Sequence, residues 1–290
     1  METKKQKVKL GVALSGGGVR GFGHLAALKA MNERNIIPQI LSGTSAGSLA
    51  AVFYADGISP EKTLCLFKEA KLRGLMDTTL PKEGFFTTSR LCDFLAKHLK
   101  ARTFEELRIP IRVIASDIEE GKARVFDRGE LIPAIAASCC FPVVFAPVQI
   151  ENHYYVDGGI FSNFPVSAIR DQCEILIGVN VSPVINMKYK PSIKYVIDRS
   201  INYTVKANTL KERHLCDYLI EADEFSKYST FELDKADEIF HLGTRLATDY
   251  LDLNREKLEQ DLCWSPAKRT FNKLYEWIKP SVSPKVILAN

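Results

Sequence analysis

Apolar and polar positions change period several times along this chain, and each change predicts an element. Val8 to Leu14 reads as a buried strand, after which Phe22, Leu25, Leu28 and Met31 recur every third position as one face of a helix. A short apolar run, Ile40-Leu41, precedes a helix-forming stretch from Ser48 to Tyr54. Pro60 to Leu72 and Ser89 to Leu99 are the next helical segments, joined by a loop from Gly74 to Thr88 that contains Leu80, Pro81, Gly84, Phe85 and Phe86. Ile111 to Ala115 predicts a core strand, with Ala123 to Phe126 as its hairpin partner across Glu119-Glu120-Gly121. Leu131 to Cys139 follows as a helix, and His153 to Val156 alternates as a strand should.

Cys173 to Val181 is the clearest buried strand, and a long helix from Ile193 to Arg213 leads to another strand at Tyr218 to Ile220. From Lys235 a helical stripe runs through Ile239, Leu242, Leu246, Tyr250 and Leu253. It resumes at Leu258, Trp264, Phe271, Leu274, Trp277 and Ile278 after a break near Pro266. Strands alternating with helices in this way predict an α/β fold, a mostly parallel central sheet with helices on both faces and functional loops at the strand ends.

Two of those loops carry chemistry. Gly43-Thr44-Ser45-Ala46-Gly47 lies between a strand and a helix, the setting in which G-x-S-x-G forms a nucleophile elbow. The glycines remove side chains that would collide in so sharp a turn, and Ser45 is left exposed at a helix N-terminus, where the dipole favours negative charge. Read alone, the same residues are equally a turn with a serine cap. Upstream, Ser15-Gly16-Gly17-Gly18-Val19-Arg20-Gly21 forms a strand–loop–helix junction whose consecutive amides can converge on an anion.

The spacing Gly16-x-Gly18-x-x-Gly21 also fits a dinucleotide fingerprint, which requires an acid about 20 residues further on. The chain offers Pro38-Gln39-Ile40-Leu41-Ser42-Gly43 there, without an acid. No Gly-Lys-Ser/Thr follows the glycines, so a P-loop fails as well. An oxyanion hole beside a serine is what remains. A third element, Asp157-Gly158-Gly159, closes the strand at His153 to Val156. It is either a turn aspartate or a carboxylate placed to accept the serine proton.

Taken together and in order, Gly16-Gly17-Gly18-Val19-Arg20-Gly21, Gly43-Thr44-Ser45-Ala46-Gly47 and Asp157-Gly158-Gly159 resemble the three signature blocks of the patatin-like phospholipases. Ala136-Ala137-Ser138-Cys139-Cys140-Phe141-Pro142 resembles the block that precedes the aspartate in bacterial members, and Pro165-Val166 matches after it. The resemblance spans about Lys9 to Val181. It implies a three-layer α/β domain over residues 9–185, with residues 186–290 as a C-terminal helical extension packed on it. It further implies a lipid acyl hydrolase using a Ser45–Asp157 dyad, with an oxyanion hole from the amides of Gly16, Gly17 and Gly18. Arg20 falls on the basic position of the loop, where it steadies the loop or meets a lipid phosphate. No cofactor and no metal are implied, and the partner is a lipid or other acyl ester. A catalytically silent adaptor on the same fold and a histidine-dependent triad are the alternatives.

A triad in hydrolase order would place its histidine after Asp157, where only His214 and His241 stand, both in charged helical stretches. His153 precedes Asp157 by four residues, on the same face by alternation, and is a candidate accessory group. His24, on the helix after the glycine loop, reads as a packing or hydrogen-bonding residue, and His98 sits in another amphipathic run. Composition sets the limits around this reading. With 39 basic against 35 acidic residues, the net charge of +4 is too small to argue for nucleic acid. Seven cysteines at irregular spacing give neither a metal pattern nor a disulfide framework, and Cys139 and Cys140 read as small core-lining residues in a reducing compartment.

Lys4, Lys5, Lys7 and Lys9 precede only a five-residue apolar run, too short for a signal peptide, and no stretch reaches the roughly 20 apolar residues of a membrane span. The expectation is a cytoplasmic protein, at most peripherally attached to a membrane. Phe85-Phe86 reads as a loop anchor, with a mobile cover over an acyl pocket as the alternative. Lys268 to Lys279 reads as core packing, with a membrane-surface helix as the alternative. The sequence does not fix the number of subunits.

Overall fold

A computed structural model describes residues 8–70, 77–78, 86–183, 188–189, 191–229 and 232–263. In chain order the elements are β1 (Val8–Leu14), α1 (Phe22–Asn32), β2 (Ile40–Thr44), α2 (Ala46–Ala55), α3 (Pro60–Ala70), β3 (Asp77–Thr78), β4 (Phe86–Thr87) and α4 (Ser89–His98). They continue with β5 (Ile111–Asp117), β6 (Lys122–Phe126), α5 (Leu131–Ser138), β7 (Val148–Ile150), β8 (His153–Asp157), α6 (Gly159–Ser162) and α7 (Ser167–Arg170). The last are β9 (Cys173–Asn180), α8 (Ile193–Arg213), β10 (Tyr218–Glu221), α9 (Ala236–Leu253) and α10 (Arg255–Cys263). The described residues divide into two compact units between 253 and 254.

The main sheet of the first unit runs in the order β10-β9-β1-β2-β5-β8-β7, with β6 paired to β5. From β10 to β5 all neighbours are parallel, and β8, β7 and β6 add an antiparallel margin. The expected mostly parallel sheet is therefore observed. Parallel strands buried on both faces read as continuous apolar runs, which is why β1 and β9 stood out in the sequence. In β1, Ala13 joins a fully buried cluster with Ile40, Phe164, Val166, Ile169 and Leu176 on the α7 side. Leu10, Val12 and Leu14 alternate to the opposite face and are equally buried. Helix α1 packs against α9 and α3, whereas α8 packs on α6. Right-handed crossovers from β1 to β2 and from β9 to β10 run in opposite directions along the sheet, so α1 and α8 cover opposite faces.

Sheet order reverses between β9 and β1. Beyond the carboxyl ends of strands at such a point, open α/β sheets leave a crevice in which ligands bind. The loops after β1, β2 and β9 all open there.

The hairpin strand β7 carries no distinct signal in the sequence, and the tail is interrupted at Asn254 between α9 and α10, while Pro266, where the sequence suggests a break, lies outside the described residues. Backbone bonds from Phe86 N to Val144 O and from Ala146 N to Phe86 O, both 2.9 Å, tie Phe86 down beside Phe145 as an anchor. Phe85 and the Lys268 to Lys279 segment lie outside the described residues. No helix among the described residues is long and apolar enough to cross a membrane.

Candidate active site

Ser45 sits at the turn from β2 into α2 with φ 52° and ψ −121°, a left-handed conformation in a residue other than glycine. Such a backbone costs on the order of 1–3 kcal/mol and persists only where its surroundings fix it. The surroundings are evident. A Cβ on Gly47 would stand 2.3 Å from the Leu14 carbonyl oxygen, and one on Gly43 would stand 2.5 Å from the Gly47 backbone. Only residues without side chains allow the turn to close so near the end of β1. The hydroxyl of Ser138, at the end of α5, accepts the Ser45 amide at 2.8 Å. Ser45 O accepts the amides of Ser48 and Leu49 and the Ser48 hydroxyl. Thr44 Oγ1 donates to Ser162 O at 2.8 Å, tying the elbow to the segment that follows Asp157.

Asp157 ends β8, which pairs with β5 so that Asp157 lies opposite Ala115. Its amide donates to Cys140 O and its carbonyl accepts the Ser116 hydroxyl, so the backbone on which the carboxylate stands is fixed. Oδ1 accepts the Gly159 amide at 2.8 Å, and the Ser45 side chain is hydrogen-bonded to the same carboxylate. The residue is 5% exposed. Desolvation by burial raises its pKa from 3.8 to about 6, with the bonds from Ser45 and Gly159 pulling the other way. A carboxylate tuned near neutrality and bonded to a serine hydroxyl can act as a general base at physiological pH.

The glycine loop stands beside this pair. Gly18 takes φ 58°, a left-handed position that suits glycine. Gly16 N donates to Asn163 O at 2.8 Å, so that amide already has an acceptor, whereas the amides of Gly17 and Gly18 have none among the described residues. Arg20 is buried at 9% exposure and folds back on the loop, its Nε donating to Gly17 O at 3.1 Å. Its placement supports the loop-steadying alternative of the two that the sequence left open.

Ser45, Asp157 and the glycines border one cavity of about 180 Å³, whose remaining wall is largely apolar and includes Phe22, Leu25, Leu49, Phe67, Leu91 and Phe145. Phe67 in turn packs edge-on to Phe53, with ring centroids 5.4 Å apart. Cys139 also lines the cavity, and Cys140 lies behind it with its Sγ donating to Ala146 O. Burial drives both thiols upward, Cys140 to about 12, so they are neutral wall residues.

The described residues lining the cavity include no histidine. His153 faces elsewhere: its Nδ1 lies 2.9 Å from Asp117 Oδ2 and 3.8 Å from Glu119 Oε2. Alternation does put residues 153 and 157 on one face, yet four residues along a strand are about 13 Å. Asp117, Glu119 and His153 form the one grouping with metal-ligand spacing among the described residues. Asp117 Oδ1 already accepts the amides of Glu119 and Glu120, and the cluster is accounted for as a turn cap against which the His153 ring rests. His214 and His241 are exposed on α8's end and α9, and His98 packs on Phe94.

A family model for Patatin-like phospholipase matches residues 12–169, more than half of the chain. The chain belongs to the patatin-like phospholipase family. Among its relatives, an uncharacterized NTE family protein of Mycobacterium tuberculosis is 30% identical over 178 residues, covering 60% of this chain and 49% of that one. Human patatin-like phospholipase domain-containing protein 6 is 27% identical over 181 residues, covering 59% of this chain and 13% of the human protein. The chain thus spans about half the length of the mycobacterial relative and a small part of the human one. In fold it is similar to the crystal structure of VipD from Legionella pneumophila, with a TM-score of 0.57 at 14% identity, covering 85% of this chain and 67% of that one. That likeness confirms the patatin-like three-layer α/β architecture.

Two residues of the site had no signal in the sequence. Ser138 and Ser182 reach it from segments 93 and 166 positions away from their partners, Ser45 and Gly16.

Burial of Asp157 has a consequence for stability. Its folded pKa lies above the unfolded value, so the folded chain holds a proton between about pH 4 and 6 that the unfolded chain releases, and stability falls as pH rises through that window. Asp157→Asn keeps the acceptor for Gly159 and removes the charge. The variant is expected to be more stable than the parent protein at about pH 7.5, with a smaller gap at about pH 5, as read by urea midpoints.

Proposed function

We propose that the protein is a lipid acyl hydrolase cleaving carboxylic esters through a Ser45–Asp157 dyad. The observation that carries this is the hydrogen bond from the serine at a strained elbow to a buried carboxylate of pKa about 6, in an apolar cavity whose described lining has no histidine. Asp157 accepts the hydroxyl proton as Ser45 Oγ attacks the ester carbonyl carbon. The negative charge that develops on the carbonyl oxygen is met by the amides of Gly17 and Gly18, which have no acceptor among the described residues. Collapse of the tetrahedral intermediate breaks the bond to the alcohol, which leaves with the proton from Asp157, and an acyl-Ser45 remains. A water molecule, deprotonated by the same carboxylate, then releases the fatty acid and restores the serine. In this scheme Arg20 holds the Gly17 carbonyl, and Gly16 contributes through the peptide it anchors.

The substrate reading rests on the cavity wall. Phe22, Leu25, Phe67 and Leu91 offer an acyl chain a dry path, and each buried CH₂ is worth about 0.8 kcal/mol. Family membership favours phospholipid among such esters, reached from a membrane surface.

A labelled fluorophosphonate followed by peptide mapping tests the nucleophile. Modification is expected at Ser45, and Ser45→Ala should reduce ester turnover by several orders of magnitude with the fold retained. Appreciable turnover in pure Ser45→Ala protein would reject the dyad. In an acyl-length series, catalytic efficiency is expected to rise from acetyl to medium-chain esters, with fatty acid released from dispersed phospholipid. Best activity on acetyl esters with no release from lipid would leave a small-molecule esterase.

A further inference from the structure

Three successive carbonyls follow β1, and each is held by a different donor. Ser15 O accepts from His24 Nε2 at 2.7 Å, Gly16 O accepts from the Ser182 hydroxyl at 2.6 Å, and Gly17 O accepts from the amide and Nε of Arg20. A peptide group is planar, so fixing a carbonyl fixes the direction of the N–H that follows it. In the first peptide that N–H belongs to Gly16 and is taken by Asn163 O, which clamps the Ser15–Gly16 peptide at both ends. In the next two the N–H groups belong to Gly17 and Gly18. We infer that Ser182 and His24 are positioning residues for the oxyanion donors: Ser182 aims the Gly17 amide by holding the carbonyl of Gly16, and His24 anchors the Ser15–Gly16 peptide from which the two donor peptides continue. The inference rests on the acyl-transfer role proposed above for the loop.

His24 makes a poor packing residue and a good clamp. It is fully buried on α1. Ser15 O can only accept, so Nε2 carries the ring proton and Nδ1 is left as an acceptor, buried and without a hydrogen-bond partner among the described residues. Burial lowers the ring's pKa to about 4, which keeps this tautomer neutral at physiological pH. A leucine would fill the same space without an orphaned polar atom, so what the imidazole adds is its bond to Ser15. That carbonyl also lies against the elbow, 2.6 Å from where a Cβ on Gly47 would stand, so its position bears on the nucleophile and on the anion site together. Ser182 comes from the opposite side of the crevice, just after β9. Its amide is held by Asn180 Oδ1 at 3.0 Å, and the neighbouring Val181 amide donates to Ser15 Oγ at 3.0 Å. The switch point between β1 and β9 thus supplies one of the two clamps.

The test uses His24→Leu, His24→Gln and Ser182→Ala, with kcat and KM on a soluble medium-chain ester and the rate of fluorophosphonate labelling, each per folded molecule by circular dichroism. Removing a donor outright costs about 10²–10³ in rate, and misaiming one should cost less. His24→Leu and Ser182→Ala are each expected to lower kcat about 10-fold with KM within about twofold, and to slow labelling of Ser45 by the same factor. His24→Gln, whose side-chain amide can donate to the same carbonyl, should recover most of the loss. Residues that only pack would lower the thermal midpoint and leave kcat per folded molecule unchanged. Wild-type kcat in Ser182→Ala, or a His24→Gln protein that folds yet is as slow as His24→Leu, overturns the inference. If His24→Leu does not fold, Ser182→Ala and the ratio of His24→Gln to the parent protein decide. Failure of the parent protein to label at Ser45 would instead sink the proposed function and this inference with it. Labelling of the parent with unaffected variants would sink the inference alone.

Discussion

The turn at Ser45 is pressed so closely against the end of β1 that no side chain fits at residue 47, and the rest of the site follows from that contact. It holds the serine in a left-handed conformation, starts α2 immediately behind it, and brings the elbow alongside the glycine loop that β1 feeds. Because β1 and β2 are neighbours in a parallel sheet, both loops emerge at the same edge, and Ser45 and a row of amides meet without any long-range adjustment. The antiparallel approach of β8 to β5 then delivers Asp157 from the opposite chain direction, with its strand register setting the height of the carboxylate.

Burial is the second constraint, and it acts on stability and chemistry in opposite senses. The apolar wall that would shelter an acyl chain also strips water from Asp157, raising its pKa to about 6 while bonds from Ser45 and Gly159 keep it from rising further. The same surroundings hold the nearby thiols neutral, so they do not compete with the nucleophilic role proposed for Ser45. Strain at Ser45, a desolvated carboxylate and an orphaned nitrogen on His24 all gather within one region. Functional sites commonly accumulate such locally unfavourable features, which the surrounding fold sustains.

What could be read from the sequence was what local pattern controls. Apolar runs located β1, β5 and β9, the 3.6-residue period located α8 from Ile193 to Arg213, and glycine spacing located the loop and the elbow. What escaped is set by contacts between distant segments. The Gly16 amide, grouped by motif with those of Gly17 and Gly18, has its acceptor at Asn163, and no spacing rule indicates that. Ser182 and Ser138 are ordinary polar residues until the sheet brings them to Gly16 and Ser45. His153 illustrates the reverse case, since strand alternation gave the right face and no information on distance, and the side chain pairs with Asp117. For His24 the sequence offered packing or hydrogen bonding without naming a partner, because a helical pattern reports burial but not which atom a buried ring must satisfy.

The central claim is that a buried aspartate, with no histidine, takes the serine proton. It is tested most directly by the pH dependence of kcat/KM for a soluble medium-chain ester, measured in the parent protein and in variants carrying asparagine at His98, His153, His214 or His241. The carboxylate must be ionised to accept the proton, so activity should rise with pH through a midpoint near 6 and then level, with that midpoint unchanged in every histidine variant. Loss of activity, or disappearance of the midpoint, on replacing any one of those histidines in a folded protein would contradict it.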